Sequence, residues 1–362
     1  MDQALPERPR KGRGAVGNPT GRHEPHVRFA VDDGWDLDGD ALAPLRTVVG
    51  EDTARTVIAT NTSPDLPFDQ SINPYQGCEH GCVYCYARPS HARLGLSPGL
   101  DFESQLFAKS DAPQALERQL RRPGYCCKTI LLGANTDPYQ PIERRLGLTR
   151  RILGVLSDFN HPVAIITKSN LVLRDIDIVA SMAERGLASV GISITTLDRG
   201  LARRLEPRAP TPARRIEAIE RLSAAGIPTA VMASPMIPAL NDAELEAILD
   251  AGATAGAMAA STILVRLPLE LKELFSEWLE VHAPDKADHV LSLIRQNRGG
   301  ALYDSRFTTR MRGSGPYAEM LTQRFRLACK RLGLRAAGGA GFALDTSRFS
   351  PPPKAGDQLD LL

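Results

Sequence analysis

The sequence predicts an α/β fold, a partial (β/α)6 barrel with a helical C-terminal extension. Three observations predict it: short β-branched runs alternate with amphipathic helical patterns, six such units follow one another, and the pattern turns wholly helical after Glu270. The expected strands are 71–76 (SINPYQ), 128–134 (KTILLGA), 162–168 (PVAIITK), 188–196 (ASVGISITT), 228–234 (PTAVMAS) and 261–267 (STILVRL). Among the helices between them, "TPARRIEAIERLSAAG" has Thr211 to cap it, Pro212 in its first turn and Gly226 beyond its end. "LRDIDIVASMAERG" stops at Gly186, and "NDAELEAILDAG" places Asn241 as cap ahead of acidic residues. In the last helical pattern, Leu321, Phe325, Ala328 and Leu332 mark one apolar stripe.

Composition narrows the class. Hydrophobic content of 43% and charged content of 24% are those of a soluble globular chain of 362 residues. No apolar run is long enough to span a membrane, and the amino terminus has no secretory h-region. Six cysteines, three of them crowded together, do not make a disulfide framework, so a reducing cytoplasm is the expected setting. The expected organisation is a disordered segment 1–45, a barrel over 60–270, a basic helical region 271–335 and a flexible tail 336–362.

The chemistry concentrates in "NPYQGCEHGCVYCYARPSH", where Cys78, Cys82 and Cys85 have CxxxCxxC spacing. Structural zinc takes four protein ligands, and a fourth would have to be His80, His91, Cys126, Cys127 or Cys329. An iron–sulfur cube fits three thiolates better, because each holds one corner and one iron stays open for another ligand.

This motif, with Tyr84 just before its last cysteine, resembles the signature of the radical S-adenosylmethionine (SAM) superfamily. With "GANTDPYQPIE", "TKSNLVLRD", "LEPRAPTPARR" and "SPMIPALND", the chain resembles the branch related to spore photoproduct lyase (DNA repair photolyase-like) over about residues 60–335. The resemblance implies a 4Fe-4S cluster on Cys78, Cys82 and Cys85, with SAM on the open iron. It further implies reductive cleavage of SAM to a 5′-deoxyadenosyl radical that abstracts hydrogen, driven by an electron donor such as flavodoxin or ferredoxin. By the same resemblance, Tyr84 lies near the adenine, and Asn135, Thr136 or Asp137 meets the SAM amino group. Lys168 and Ser193 meet its carboxylate, and Glu206 with Arg208 reaches the ribose or lines the substrate mouth. Each has a structural alternative: a core tyrosine, an Asx turn before Pro138, a surface lysine, a surface Glu206–Arg208 pair. The hydrogen-donor cysteine of the lyase aligns with Ala134 or Asn135. Cys126 and Cys127 are expected to be buried apolar residues, and Tyr139 to be a radical relay.

Residues 295–335 carry ten Lys/Arg against Asp304 and Glu319, interleaved with Tyr303, Phe307, Tyr317 and Phe325. The mixture suits nucleic acid, and equally suits an amphipathic helix with a solvated basic face. Gln358–Leu362 (QLDLL) resembles the peptide that binds the bacterial sliding clamp. The expected function is a radical SAM enzyme acting on nucleic acid. The alternatives are radical modification of RNA or protein, or a metal-stabilised nucleic-acid-binding module without catalysis.

Overall fold

The computed structural model describes residues 9–27, 44–53, 55–307, 309–336 and 342–353. Its strands in chain order are β1 (Val48–Glu51), β2 (Ile58–Thr60), β3 (Gln70–Ile72), β4 (Tyr75–Gln76), β5 (Gln105–Ala108), β6 (Ile130–Leu132), β7 (Val163–Thr167), β8 (Ala188–Ser193), β9 (Thr229–Met236), β10 (Ala259–Leu264) and β11 (Arg335–Ala336). The main sheet runs β11-β10-β9-β8-β7-β6-β3-β2, parallel throughout except where β2 pairs antiparallel with β3. Each of the six expected strands supplies one of the parallel strands β3 and β6–β10, and the two-residue β11 adds a seventh. The sheet order does not close on itself, as a partial barrel requires.

β8 reads as a continuous buried run because helices cover one face of the sheet and packed strand side chains fill the other. The helices Leu148–Asp158, Ile176–Glu184, Pro212–Ala224 and Leu245–Thr254 turn Ile152, Leu153, Val179, Met182, Ile219, Leu222, Ile248 and Leu249 into one core with the strands. A second core forms under Leu271–His282 and Pro284–Gln296, around Phe275 and Trp278. The helix Pro316–Leu332 lays Leu321, Phe325 and Ala328 on the first core, as their spacing predicts.

Several expectations change. Thr211 and Asn241 occupy the cap positions without a side-chain cap bond. Asn241 instead accepts from Ile237 N at 2.6 Å and donates to the carbonyls of Thr195 (2.6 Å) and Pro235 (2.9 Å), tying the ends of β8 and β9 together. The stretch 71–76 splits between two sheets, since β4 leaves the barrel to pair with β5 beside β1. That small sheet was not anticipated. Residues 9–27 do not behave as a loose leader, for Arg13, Ala15 and Val16 are buried against the chain. Cys126 is exposed and Cys127 half-buried, so neither is the core residue expected. Near the end of the described chain, Phe349 packs on Tyr125, Phe159 and His161, and Ser350 N donates to the Phe159 carbonyl. The expected flexible tail is thus packed on the chain at Phe349 and Ser350. The clamp-like Gln358–Leu362 lies outside the described residues.

Two tests follow. Asn241→Ala strands three backbone groups, two of them buried, and should cost roughly 2–4 kcal/mol in urea unfolding; a loss below measurement error would mean the strand ends do not depend on it. His161 is buried, shares a hydrogen bond with Tyr125 OH at 2.8 Å and is drawn down by burial to a pKa of about 4. It is neutral when folded and free to protonate when unfolded. Stability should therefore fall as pH drops from about 6.5 to about 4, by about 2–3 kcal/mol from this residue. His161→Phe should flatten that slope in pH-resolved denaturation, and an unchanged slope would refute the assignment.

Candidate active site: the thiol loop and the strand ends

The loop carrying Cys78, Cys82 and Cys85 runs from β4 into a 3-10 turn, Arg88–Leu94. Gly77 and Gly81 give it positive φ, +74° and +67°. A Cβ on Gly77 would come within 2.5 Å of the Leu106 side chain, and one on Gly81 within 2.7 Å of Glu103. The loop is therefore drawn tight over what lies beneath it.

Beneath it lies a buried ion pair. Arg88 donates to the carbonyls of Cys82 (2.8 Å), Gly81 (3.2 Å), Pro98 (3.1 Å) and Gly99 (2.9 Å), and pairs with Glu103. Glu103 also accepts from Gly14 N (2.9 Å) and Ala15 N (2.8 Å), while Arg13 donates to its carbonyl at 2.6 Å. Both side chains are shut off from solvent, and every charged oxygen has a donor. On the other side, Glu79 N donates to Gln140 at 2.8 Å, and His80 stands 3.3 Å from Asp137.

Asp137 joins the loop to the strand ends. Its carboxylate accepts from Thr167 Oγ1 (2.6 Å), Lys168 N (2.8 Å) and Tyr139 N (2.9 Å). Burial would raise its pKa, but the nearby His80 and the donors from Lys168 and Thr167 outweigh burial and hold it down to about 2. Lys168 then turns its ammonium over the Tyr84 ring, 5.7 Å from the centroid. Lys168 is half-buried rather than a surface lysine.

Tyr84 is buried, its hydroxyl sharing a hydrogen bond with Thr195 Oγ1 at 2.9 Å and donating to Glu206. Glu206 is also buried and pairs with Arg215, which in turn donates to the carbonyls of Pro210 (2.9 Å) and Ser193 (3.1 Å). The suggested Glu206–Arg208 surface pair does not form; Arg208 reaches Glu79 instead, at 3.1 Å. Glu206 is thus an internal anchor that stands the tyrosine upright. Thr136 is closed off, its hydroxyl donating to the Tyr75 carbonyl at 2.8 Å. Ser193 donates its only proton to the Ser234 carbonyl at 3.1 Å and has none left for a carboxylate. Asn135 keeps a half-buried side chain without a hydrogen bond among the described residues, its backbone N held by Asn73 at 2.9 Å. Tyr139 donates its hydroxyl to Asp175 at 3.1 Å. Tyr86, which sequence reasoning passed over, is 45% exposed, and its hydroxyl donates to the Ala134 carbonyl.

The donor set fits an iron–sulfur cube. Cys78 and Cys82 are free, buried thiols whose pKa values are pushed up, by burial foremost; the Lys168 charge opposes this at Cys82. Such thiols ionise when a cationic core binds them. No group of three His, Cys, Asp or Glu side chains among the described residues converges on a point as the ligands of one ion must.

A three-thiol loop above the carboxyl ends of a parallel partial barrel defines an enzyme class, one that cleaves SAM at an iron–sulfur cluster. Residues 72–252 match the family model described as the Radical SAM superfamily, and the chain belongs to that superfamily. Its cofactors are accordingly a 4Fe-4S cluster and SAM. An uncharacterised protein of Mycobacterium tuberculosis is 36% identical over 233 residues, 64% of this chain and 68% of that one. One of Methanocaldococcus jannaschii is 32% identical over 178 residues, 48% of this chain and 62% of that one. Among solved structures, spore photoproduct lyase complexed with dinucleoside spore photoproduct has a similar fold, with TM-score 0.54 at 14% identity over 80% of this chain and 81% of that chain. A mutant lyase with bound SAM and the same dinucleoside superposes with TM-score 0.52 at 15% identity, with the same coverage.

The Arg88–Glu103 pair makes a direct prediction. Glu103→Ala leaves a buried guanidinium without its counter-charge, and should destabilise the chain by about 3–5 kcal/mol in chemical denaturation. Iron retained after reconstitution and gel filtration should fall with it. Full iron retention would show that the loop holds its shape without the pair.

Proposed function

We propose that this chain uses radical SAM chemistry on a nucleic acid, in the manner of a DNA repair lyase. The observation that carries the reading is the pair of arginine–aromatic stacks in the region of the mouth. Arg266 lies 4.5 Å above the Tyr86 ring and Arg310 4.7 Å above Phe307, and both rings are nearly half exposed. Flat faces beside cations suit bases and phosphates. The fold shared with a spore photoproduct lyase complexed with dinucleoside spore photoproduct supports the same substrate class.

In this reading Cys78, Cys82 and Cys85 hold the cluster, Lys168 faces the SAM carboxylate and Asn135 the amino group. Tyr84, fixed by Thr195 and Glu206, offers its ring to the adenine. When bound, the two cofactors supply a 5′-deoxyadenosyl radical that abstracts a hydrogen atom from the substrate. The chain's own work is to fix the loop and to keep the strand ends aligned. An acidic one-electron donor protein of the flavodoxin or ferredoxin kind would reduce the cluster.

The bulk charge of residues 295–335 carries less of this reading than its count suggests. Arg298 is buried and donates to four backbone carbonyls, and Arg306, Arg310 and Arg324 pair with Asp304, Asp65 and Glu246. Phe325 is core and Tyr317 donates to Asp242.

Anaerobic reconstitution with iron and sulfide, then dithionite and SAM, should yield 5′-deoxyadenosine by chromatography, and none from Cys82→Ala. Ultraviolet-irradiated DNA should raise the yield. One zinc per chain and no such product would replace the enzyme by a metal-stabilised binding module. Stimulation by RNA or peptide but not DNA would move the substrate class.

A further inference from the structure

Arg266 follows β10 at the carboxyl end of the sheet, where ligand groups gather in parallel barrels. Its guanidinium has five donors, yet makes no hydrogen bond or ion pair among the described residues, only the stack on Tyr86. The other deeply placed arginines differ. Arg88 and Arg215 each have a carboxylate and carbonyls, and Arg298 has its four carbonyls. Burial draws the Arg266 pKa below the ordinary arginine value, so the charge is partly desolvated as well as unpaired. An uncompensated cation of this kind is costly unless a ligand anion answers it.

Its surroundings say which anion. Tyr303, Arg310 and Asp65 are near enough to act on its charge. Both Asp65 oxygens are taken by Arg310, at 2.6 Å each, and Asp304 is taken by Arg306 and Thr309. Arg266, Arg298, Arg306 and Arg310 therefore face two carboxylates, both already engaged. Tyr86 is the residue after Cys85, so the spare charge sits beside the last thiol of the cluster loop.

We propose that Arg266 receives a phosphodiester of the nucleic-acid substrate, with the Tyr86 ring beneath it as a stacking face. This rests on the nucleic-acid reading above. The guanidinium fork matches a carboxylate as well as a phosphate, but exposed aromatic faces beside it favour a nucleotide over an acidic peptide.

The test is fluorescence anisotropy on the cluster-loaded full chain, with a short labelled single-stranded oligodeoxynucleotide across a range of salt. Arg266→Gln should weaken binding about tenfold and lower the slope of log K against log salt by about one. Arg266→Lys should recover most of the slope and less of the affinity. Replacing phosphodiesters one at a time by neutral methylphosphonates should reveal one position that weakens the parent protein and leaves Arg266→Gln unaffected. Circular dichroism establishes that each variant is folded. If the parent binds the oligonucleotide and folded Arg266→Gln binds equally with the same slope, this inference is overturned and the nucleic-acid reading stands. If the parent binds no oligonucleotide, or only an acidic peptide competes at Arg266, both fall together.

Discussion

The ion pair between Arg88 and Glu103 is the contact on which the remaining geometry depends. A loop that must present three thiols in fixed directions cannot rely on side-chain packing alone, because its own side chains are the ligands. Its shape has to be held from beneath, through the backbone. Arg88 does this by donating to the Cys82 and Gly81 carbonyls, and Glu103 completes it by recruiting the amide groups of Gly14 and Ala15. Neither charge is tolerable alone in that interior, so each enforces the position of the other.

A second constraint ties this loop to the barrel. Asp137 meets His80 from the loop, Tyr139 from its own turn, and Thr167 with Lys168 from the end of β7. The thiol loop and the lysine proposed to face SAM are therefore referred to one carboxylate. Tyr84, hung between Thr195 and Glu206, provides a second link, from the loop to the end of β8.

The barrel was legible because its strands and helices carry their period in the sequence. The six strands β3 and β6–β10 lie where β-branched runs lie, and Gly186 and Gly226 close helices in the left-handed conformation. The thiols were legible because their chemistry sets their spacing. What was not legible is pairing across long separations. Glu206 looked like a partner for Arg208, two residues away, and belongs to Arg215; Arg310, one of the ten cations of 295–335, belongs to Asp65. Thr136 and Ser193 were chosen for their hydroxyls, and the fold spends those protons on nearby carbonyls. Arg266 lies outside the basic segment that composition singles out, and only its lack of a partner in three dimensions marks it.

The supports of the thiol loop also have an order in time. Arg13, Gly14, Ala15, Arg88 and Glu103 all lie in the first third of the chain, so the cradle is complete before β6 has been made. Tyr84 waits for Thr195, Glu206 and Arg215, and the mouth waits for Arg266 and Arg310. During synthesis, the part of the protein that takes up iron is thus encoded ahead of the part that confines the reaction.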